Sequence, residues 1–153
     1  MMRSEDPGSY KGICMAQIIR DVMTPNPVSI PAASSVADAA RAMRDANIGD
    51  VIVLKDSQVC GILTDRDIVV RGVAEGRDLA ATKVGDICSQ ELTSVSPTDE
   101  VEQAILLMRD KAVRRLPVVE GGKAVGVVSI GDLAIERDPH SALGTISAAP
   151  PNR

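Results

Sequence analysis

The hydrophobic positions of this chain follow a helical period in two separate stretches. In each stretch, apolar residues fall at positions i, i+3, i+4 and i+7, which places them on one face of an amphipathic helix. The two stripes consist of Val36, Ala39, Ala40 and Met43, and of Val101, Ala104, Ile105 and Met108. N-cap candidates are Ser34 or Ser35 before the first helix and Thr98 or Asp99 before the second. The pattern therefore predicts two helices of the same kind.

Strand-like segments surround each predicted helix in the same order. A short extended segment precedes the helix, and two runs of β-branched residues joined by a polar turn follow it, as in a β-hairpin. A second helix is predicted to start near Asp65 and end around Gly72 in the first stretch, and to start near Ile130 in the second. The predicted strands cover residues 27–30, 51–54 and 59–63, and then 92–95, 116–119 and 124–128. Each stretch therefore has the order β-α-β-β-α.

The two stretches are copies of one unit, because distinctive residues align at one constant offset without an insertion. The aligned pairs include Gly61 and Gly126, Thr64 and Ser129, and Asp67 and Asp132. Both glycines fall inside strands, where the missing side chain lets another backbone or a ligand approach closely. The predicted class is α/β (α+β), with two tandem β-α-β-β-α repeats packed sheet to sheet into one pseudo-symmetric module. The predicted divisions are an N-terminal extension at 1–17, repeats at 18–76 and 77–137, and a C-terminal tail at 138–153.

The composition restricts the kinds of partner. The chain has one Tyr, no Phe and no Trp among 153 residues, so it lacks the aromatic platforms on which nucleic-acid bases stack. The formal net charge is −4, and no basic run is longer than Arg114-Arg115, whereas a duplex-DNA binder shows a basic stripe. We therefore expect no nucleic-acid partner, although local geometry can still favour a small anion.

Cysteines, histidine and apolar runs exclude further classes. Cys14, Cys60 and Cys88 are an odd number without the CxxC spacing of zinc sites, which indicates a reducing compartment and no metal. His140 is the only histidine and no nucleophile–base pair is recognisable, so we expect no enzyme activity. The N-terminal extension lacks the apolar run of a signal peptide, and no stretch reaches the roughly 18 apolar residues of a membrane span. We predict a cytoplasmic protein that does not contact a membrane.

The strongest candidate chemistry lies where the last strand of each copy meets its second helix. A hydroxyl residue starts each turn and a carboxylate follows three positions later, as Thr64 and Asp67 or as Ser129 and Asp132. The free N–H groups of a helix start favour phosphate, the hydroxyl adds a donor, and the carboxylate can accept hydrogen bonds from ribose. The same residues also resemble a capping box with Asp in place of Glu or Gln. The pattern alone leaves both interpretations open.

Together, these features resemble the cystathionine-β-synthase (CBS) domain family. The resemblance rests on the gapless repeat, the paired Thr/Ser-x-x-Asp turns and the strand Arg115-Leu116-Pro117-Val118-Val119, and it covers roughly residues 18–137. Members are similar to tandem pairs called Bateman modules, which bind AMP, ADP, ATP, S-adenosylmethionine or related ligands in two clefts between the repeats. The resemblance implies a stand-alone regulatory sensor that requires no cofactor, forms a homodimer and acts on a protein partner that the sequence does not identify.

The resemblance also implies a role for each residue of the candidate site. The two hydroxyls would contact phosphate and the two carboxylates would hold ribose, while the backbone at 49–51 and 115–117 would border the adenine. The turns at 24–27 and 90–93 would close the clefts, and Arg66 would either reach a phosphate or remain a solvated surface residue. The implied contacts are Thr64, Asp67, Ser129, Asp132, Arg115, Leu116, Pro117, Arg66, Gly49, Val51 and Thr93.

The two copies differ at one position that bears on ligand charge. Asp50 in the first copy aligns with Arg115 in the second, where family members often carry a basic residue. If this position faces the phosphates, the cleft beside Arg115 is the better anion site and the cleft beside Asp50 is weak or empty. Arg114 and Arg115 could instead pair with Asp110 or Glu120. The alternative function is a non-catalytic, dimeric interaction module with vestigial clefts.

Overall fold

Two three-stranded sheets, flanked by helices, form the part of the chain that the computed structural model describes, residues 17–150. The strands are β1 (Thr24–Pro25), β2 (Ser29–Pro31), β3 (Asp50–Lys55), β4 (Gln58–Thr64), β5 (Arg115–Glu120) and β6 (Lys123–Ser129). The helices are α1 (Ile19–Val22), α2 (Val36–Ala46), α3 (Asp65–Asp67), which continues as a π-helix (Ile68–Val73), α4 (Val84–Ile87), α5 (Val101–Lys111), α6 (Ile130–Arg137) and α7 (Ala142–Ala148). The sheets have the orders β2-β3-β4 and β1-β6-β5. The predicted α/β class with two repeats is confirmed.

Both predicted hairpins are present and share one geometry. β3 pairs antiparallel with β4, and β5 with β6. Their turns use residues with positive φ, which suits the right-handed twist of the strands. These residues are Asp56, Ser57, Gly121 and Gly122. The register sets Asp50 opposite Thr64 and Arg115 opposite Ser129, so each hairpin brings its first residue next to the turn that follows it.

The first helix of each copy lies where its stripe predicts, but the two helices start differently. Ser35 caps α2, because its hydroxyl accepts a hydrogen bond from the Asp38 N–H at 3.1 Å. The N-cap residue of α5 is Glu100, which makes no side-chain cap, so the prediction of Thr98 or Asp99 is wrong. The Asp99 carboxylate accepts a hydrogen bond from the Ser96 N–H at 2.8 Å and thereby serves the preceding turn.

Two further predictions need correction. Residues 92–95 form no regular strand, and only Val95 makes a single parallel bridge, to Val118. The second helix of the first copy ends at Val73, close to the predicted Gly72, but its C-cap residue is Ala74, so the prediction that Gly72 is the C-cap is wrong. Gly72 is buried there against Leu79, whose Cδ2 atom would lie 2.9 Å from an added Cβ. Gly72 therefore lies inside the last turn of the helix and packs against a side chain that can move.

Each copy has its own core of small and aliphatic side chains, as a chain without Phe or Trp requires. Three of the four residues in each predicted helical stripe are buried. The first core contains Ile30, Val36, Ala39, Met43, Val51, Val53, Leu63, Ile68, Val84, Ile87 and Cys88. The second core contains Ile19, Val95, Val101, Ala104, Met108, Leu116, Val118, Val128 and Leu133.

The two copies exchange their N-terminal helices. α1 comes before the first copy in sequence, yet Ile19 is buried in the second core and its N–H donates to the Asp99 carbonyl at 2.9 Å. α4 comes before the second copy, yet Val84 is buried in the first core and its N–H donates to the Ser34 carbonyl at 2.9 Å. Each core is completed by the helix that precedes the other copy. The predicted boundaries at 18–76 and 77–137 stay a prediction. They divide the sequence into its two repeats, but each core also includes the short helix at the start of the other repeat.

The exchange explains the two glycines inside strands. A Cβ on Gly61 would lie 2.3 Å from the Ser89 carbonyl oxygen, and a Cβ on Gly126 would lie 2.9 Å from the Thr24 carbonyl oxygen. Ser89 bridges to Ile62, and β1 pairs with β6. The segment that follows α4 therefore packs directly on Gly61, and the segment that follows α1 packs directly on Gly126. The prediction that these glycines admit another backbone is confirmed.

A helix occupies part of the segment that was predicted to be a tail. The Ser141 hydroxyl accepts a hydrogen bond from the Gly144 N–H at 3.0 Å and starts α7, which packs against α6. The approach is close because Gly131 has no side chain, and an added Cβ would lie 2.9 Å from Ser147 Oγ. α7 was not predicted, because its small residues form only a weak apolar stripe. Cys14 lies outside the described residues.

Candidate functional site

The two Thr/Ser-x-x-Asp turns face one cleft between the copies. This cleft has a volume of about 1010 Å³ and receives residues from β4, β6, the helices after them and the segment before β5. The wall from the first copy includes Thr64, Asp65, Arg66 and Asp67, and the wall from the second includes Ser129, Ile130, Gly131 and Asp132. The structure therefore joins the two predicted clefts into one continuous space.

Each turn forms a complete capping box. The Thr64 hydroxyl and the Thr64 N–H both donate to Asp67 Oδ2 at 2.9 Å, and the Asp67 N–H donates to Thr64 Oγ1 at 3.2 Å. In the second copy the Ser129 hydroxyl and N–H donate to Asp132 Oδ2 at 2.7 and 2.8 Å, and the Asp132 N–H donates to Ser129 Oγ at 3.2 Å. The capping interpretation is confirmed, and ligand contact by the same residues stays a prediction.

The cap occupies only one oxygen of each carboxylate. Asp67 Oδ1 lies 3.9 Å from Arg71 Nε. Asp132 Oδ1 accepts no hydrogen bond from any residue between 17 and 150. An ionised carboxylate has about four acceptor positions in total, so each aspartate can accept further hydrogen bonds while it holds the helix start. Capping and ligand binding are therefore compatible in one turn.

Asp50 and Arg115 form an ion pair across the two copies. Arg115 Nε lies 2.9 Å from Asp50 Oδ2, and the side chains are 37% and 16% exposed. Burial raises the pKa of the Asp50 carboxyl, Arg115 opposes the rise, and Asp65 and Asp132 add to it. The expectation that these two charges serve separate clefts is wrong, because the two residues are in contact.

The alternative partners predicted for Arg114 and Arg115 form ion pairs with other arginines. Asp110 pairs with Arg109 at 2.8 Å, and Glu120 pairs with Arg20 at 3.5 Å. Pairing of Arg115 with either acid is therefore replaced by the contact with Asp50. This contact is possible because residues at equivalent positions of two symmetric copies meet wherever the pseudo-twofold axis passes between them.

Arg66 and Arg114 lie on the cleft wall with no carboxylate within salt-bridge distance in the part of the chain that the structure describes. Both side chains belong to exposed residues. Arg66 follows Asp65, whose Oδ1 accepts a hydrogen bond from the Arg66 N–H at 2.8 Å. The two guanidinium groups are therefore the cations that an anionic ligand can reach without first breaking an ion pair.

The residues predicted to border adenine differ in their placement. The side chains of Val51 and Leu116 are fully buried in the two cores, and Pro117 is buried as well. Only their backbone is left for a ligand, and this role stays a prediction. Gly49 lies against the ion pair, because an added Cβ would lie 3.2 Å from Arg115 Nη2 and 2.9 Å from Asp65 Oδ2.

A smaller depression of about 260 Å³ adjoins the cleft. Ser89 and Val113 line both spaces, and Thr93 lies in the depression together with Arg71. The turn predicted to close a cleft at 90–93 is therefore next to the cleft. The Arg71 guanidinium also donates to the Ile87 carbonyl at 3.1 Å, which ties the π-helix to the exchanged α4.

Sequence reasoning missed several residues of the cleft wall. Ser89 and Val113 lie on it, as does Ser147 from α7. Ser89 could have been predicted from the sequence, because the repeat alignment makes it the counterpart of Thr24, which lies in a turn predicted to close a cleft. Ser147 could not have been predicted in this way, since α7 has no counterpart in the first copy.

Residues 17–150 lack the features of two other kinds of site. No group of three or more His, Cys, Asp or Glu side chains is arranged there to hold a metal ion. None of the helices in this range is both long and apolar enough to cross a membrane. Cys60 is partly buried and Cys88 is buried in the first core, both as free thiols.

Comparison with known proteins gives the same organisation. The family model of the CBS domain matches the chain twice, at residues 19–73 and 84–137. The CBS domain-containing protein YhcV of Bacillus subtilis is 35% identical over 127 residues, which are 83% of this chain and 90% of YhcV. The hexameric CBS-CP12 protein from bloom-forming cyanobacteria is 30% identical, with a TM-score of 0.75 over 82% of this chain and 70% of that chain.

A more distant structure shares the fold. The CBS domain pair of protein MJ0100, crystallised in complex with 5′-methylthioadenosine and S-adenosyl-L-methionine, has a TM-score of 0.71 at 19% identity. The alignment covers 78% of this chain and 94% of that chain. Likeness at this level of identity establishes the common fold alone.

Proposed function

The chain belongs to the CBS domain family as a tandem pair of CBS domains, and we propose that it is a non-catalytic, cytoplasmic regulatory protein that senses an adenosine-containing ligand. The observation that carries this proposal is the pair of turns with Asp67 and Asp132 on the walls of one cleft. Each turn combines a carboxylate with a free acceptor position and the start of a helix. We infer that a ligand of the AMP, ADP, ATP or S-adenosylmethionine type binds between the copies.

The ribose is the part of the ligand that the aspartates recognise. Oδ1 of Asp67 or Asp132 can accept hydrogen bonds from the 2′- and 3′-hydroxyls while Oδ2 keeps the cap. A phosphate or carboxylate on the ligand meets the helix start and the guanidinium groups of Arg66 and Arg114. The combination of diol acceptors and cations in one cleft supports a nucleoside ligand over a simple anion.

The size and lining of the cleft support the same class of ligand. Pockets for small molecules typically measure about 300–1,000 Å³, and the cleft of about 1010 Å³ lies at the upper end of this range. Ile62, Val113 and Ile135 supply apolar surface on its wall. An adenine ring can pack on such surface with its edge hydrogen bonded to the backbone.

Binding between the copies would regulate a partner by shifting a conformational population. A ligand that contacts both turns binds best when the two copies hold one relative orientation. A protein partner that recognises this orientation then responds to ligand concentration. The helices exchanged between the cores couple each half of the cleft to the opposite copy, which supports transmission through the whole module.

Ligand-dependent thermal unfolding tests the proposal. AMP, ADP, ATP and S-adenosylmethionine are each added at millimolar concentration, and binding is then measured by isothermal titration calorimetry. A ligand at 100 times its Kd stabilises the fold by about 2.7 kcal/mol, which is a shift of roughly 5–10 °C for a chain of this size. The absence of a shift with all four compounds would overturn the proposal.

Matched variants separate binding from capping. Asp132→Ala and Asp67→Ala remove a cap and a ribose acceptor together, and we expect at least a tenfold loss of affinity. Ser35→Ala removes the cap of α2, which does not line the cleft, at a similar cost of about 1 kcal/mol. Unchanged affinity in Ser35→Ala beside lost affinity in the aspartate variants supports ligand contact.

The complete capping boxes favour a second candidate, an interaction module whose turns act only as helix caps. In this case Asp67→Ala and Asp132→Ala lower the unfolding temperature, but neither the wild type nor the variants respond to adenosine ligands. The same set of experiments therefore decides between the two functions.

We also propose that the chain forms a homodimer through the exposed face of the π-helix. Val69, Val70 and Val73 are 58%, 46% and 58% exposed, and clustered apolar surface of this kind marks contact sites. Light scattering should give twice the mass of one chain. Val69→Glu with Val73→Glu should give a monomer, whereas Leu106→Glu, the same kind of change at an exposed position of α5, should leave the mass unchanged.

A further inference from the structure

Asp50 and Arg115 occupy equivalent positions in the two copies but carry opposite charges. Their side chains meet at 2.9 Å, and Asp50 is the more buried of the two. Gly49 makes the contact possible, because an added Cβ would lie 3.2 Å from Arg115 Nη2. The pair joins the start of β3 to the start of β5, and each of its residues lies opposite the hydroxyl residue of one turn.

The charges around the cleft are nearly balanced. Three arginines line it, together with three aspartates. These residues are Arg66, Arg114, Arg115, Asp65, Asp67 and Asp132. Asp50 adds a fourth carboxylate and occupies one of the three guanidinium groups. The cleft therefore offers no excess of positive charge to a ligand with several phosphates.

We propose that Asp50, by holding Arg115 in an ion pair, makes the cleft select adenosine ligands of low negative charge over nucleoside di- and triphosphates. The preferred compounds carry one phosphate or a cationic group such as a sulfonium. The inference rests on the proposed function and adds a specificity-determining residue to it.

The physical basis is competition for one guanidinium. A triphosphate that uses Arg115 must separate it from Asp50 and then leave this carboxylate, which is mostly buried, without its partner. The freed carboxylate also repels the phosphates across a partly desolvated cleft. A ligand with one phosphate can use Arg66 and Arg114 and leave the ion pair intact.

Four variants test the inference by titration calorimetry with AMP, ATP and S-adenosylmethionine. We expect Asp50→Asn to improve the affinity for ATP relative to AMP about tenfold, which corresponds to about 1.4 kcal/mol. Arg115→Gln alone should weaken ATP binding, because it leaves the Asp50 carboxylate without its partner beside the phosphates. In the double variant the gain for ATP should disappear. Asp45→Asn is the matched control, since it breaks an exposed pair with Arg44 away from the cleft and should change no ratio.

The outcomes distinguish the inference from the function on which it rests. If the wild type binds an adenosine ligand but Asp50→Asn leaves the ratio of ATP to AMP affinity unchanged, the inference is overturned and the function stands. If neither protein binds any of the three compounds, the proposed function fails and the inference fails with it. A gain for ATP that persists in the double variant would show that the gain does not come from a released Arg115, and it too would overturn the inference.

Discussion

Replacing Gly61 by Ala probes the contact between β4 and the segment that follows the exchanged α4. The new Cβ would lie 2.3 Å from the Ser89 carbonyl oxygen, and the neighbour is backbone, so it cannot rotate away. Overpacking of this kind costs about 1–3 kcal/mol. Displacing Ser89 also weakens the hydrogen bond from its N–H to the Ile62 carbonyl, now 3.2 Å long, at a cost of about 1 kcal/mol.

We therefore expect Gly61→Ala to lower the free energy of unfolding by about 2–4 kcal/mol and the unfolding temperature by roughly 5–15 °C. Urea and thermal unfolding, followed by far-UV circular dichroism, measure both. Because Ser89 also lines the cleft, the affinity for an adenosine ligand should fall in the folded variant.

Two other glycines calibrate the result. In Gly126→Ala the nearest atom is the flexible Met23 Sδ at 2.6 Å, and the Thr24 carbonyl oxygen follows at 2.9 Å, so the loss should be smaller. In Gly72→Ala the close contact is the end of the Leu79 side chain at 2.9 Å, and the change should be nearly neutral. Gly61→Ala within about 0.5 kcal/mol of wild type would refute the close packing of Ser89 on β4.

Three further predictions follow from the caps, the buried acid and the buried thiol. Ser129→Ala should lower the free energy of unfolding by about 0.5–2 kcal/mol in urea, and Ser129→Thr should not, because Thr64 forms the same cap in the other copy; equal losses in both variants would contradict the capping role. Burial raises the pKa of Asp50 above its unfolded value, so its contribution to stability is complete below the ordinary Asp pKa and is lost as pH rises through the folded pKa. The unfolding temperature of wild type should therefore fall relative to Asp50→Asn as the pH rises above about 4, and a constant difference would speak against it. Burial, with a smaller effect from Cys60, raises the pKa of the Cys88 thiol, so iodoacetamide should label Cys88 more slowly than Cys60 in peptide mass spectra of the native protein; equal rates would be inconsistent with this burial.

The sequence allowed the repeated unit to be predicted because its signals are local. The helical stripe beginning at Val36 recurs at Val101, and both hairpins have β-branched strands around polar turns, so periodicity alone locates these elements. The helix starts at Asp65 and Ile130 were predicted from the hydroxyl and carboxylate that cap them. These interactions lie within a few residues of one another, and their pattern is visible in a single sequence.

The exchange of α1 and α4 could not be predicted in this way. Each is four residues long, too short for a helical period, and nothing in Ile19 or Val84 specifies which core receives it. The contact between Asp50 and Arg115 has a similar origin. The alignment makes the two residues equivalent, but only the arrangement of the copies about their pseudo-twofold axis brings them together.

The ion pair between Asp50 and Arg115 has a consequence for what a fused pair of repeats can do. In an assembly of two identical single-repeat chains, a residue beside the twofold axis faces its own duplicate, so an aspartate there would meet an aspartate and an arginine would meet an arginine. Carrying both repeats on one polypeptide removes this constraint, and attraction replaces self-repulsion at the axis. The two halves of the cleft are then free to differ, as they do where the first copy has Arg66 and the second has Gly131 at the equivalent position. The two ends of the cleft are therefore not equivalent, so that a ligand that is itself asymmetric has one preferred direction of entry.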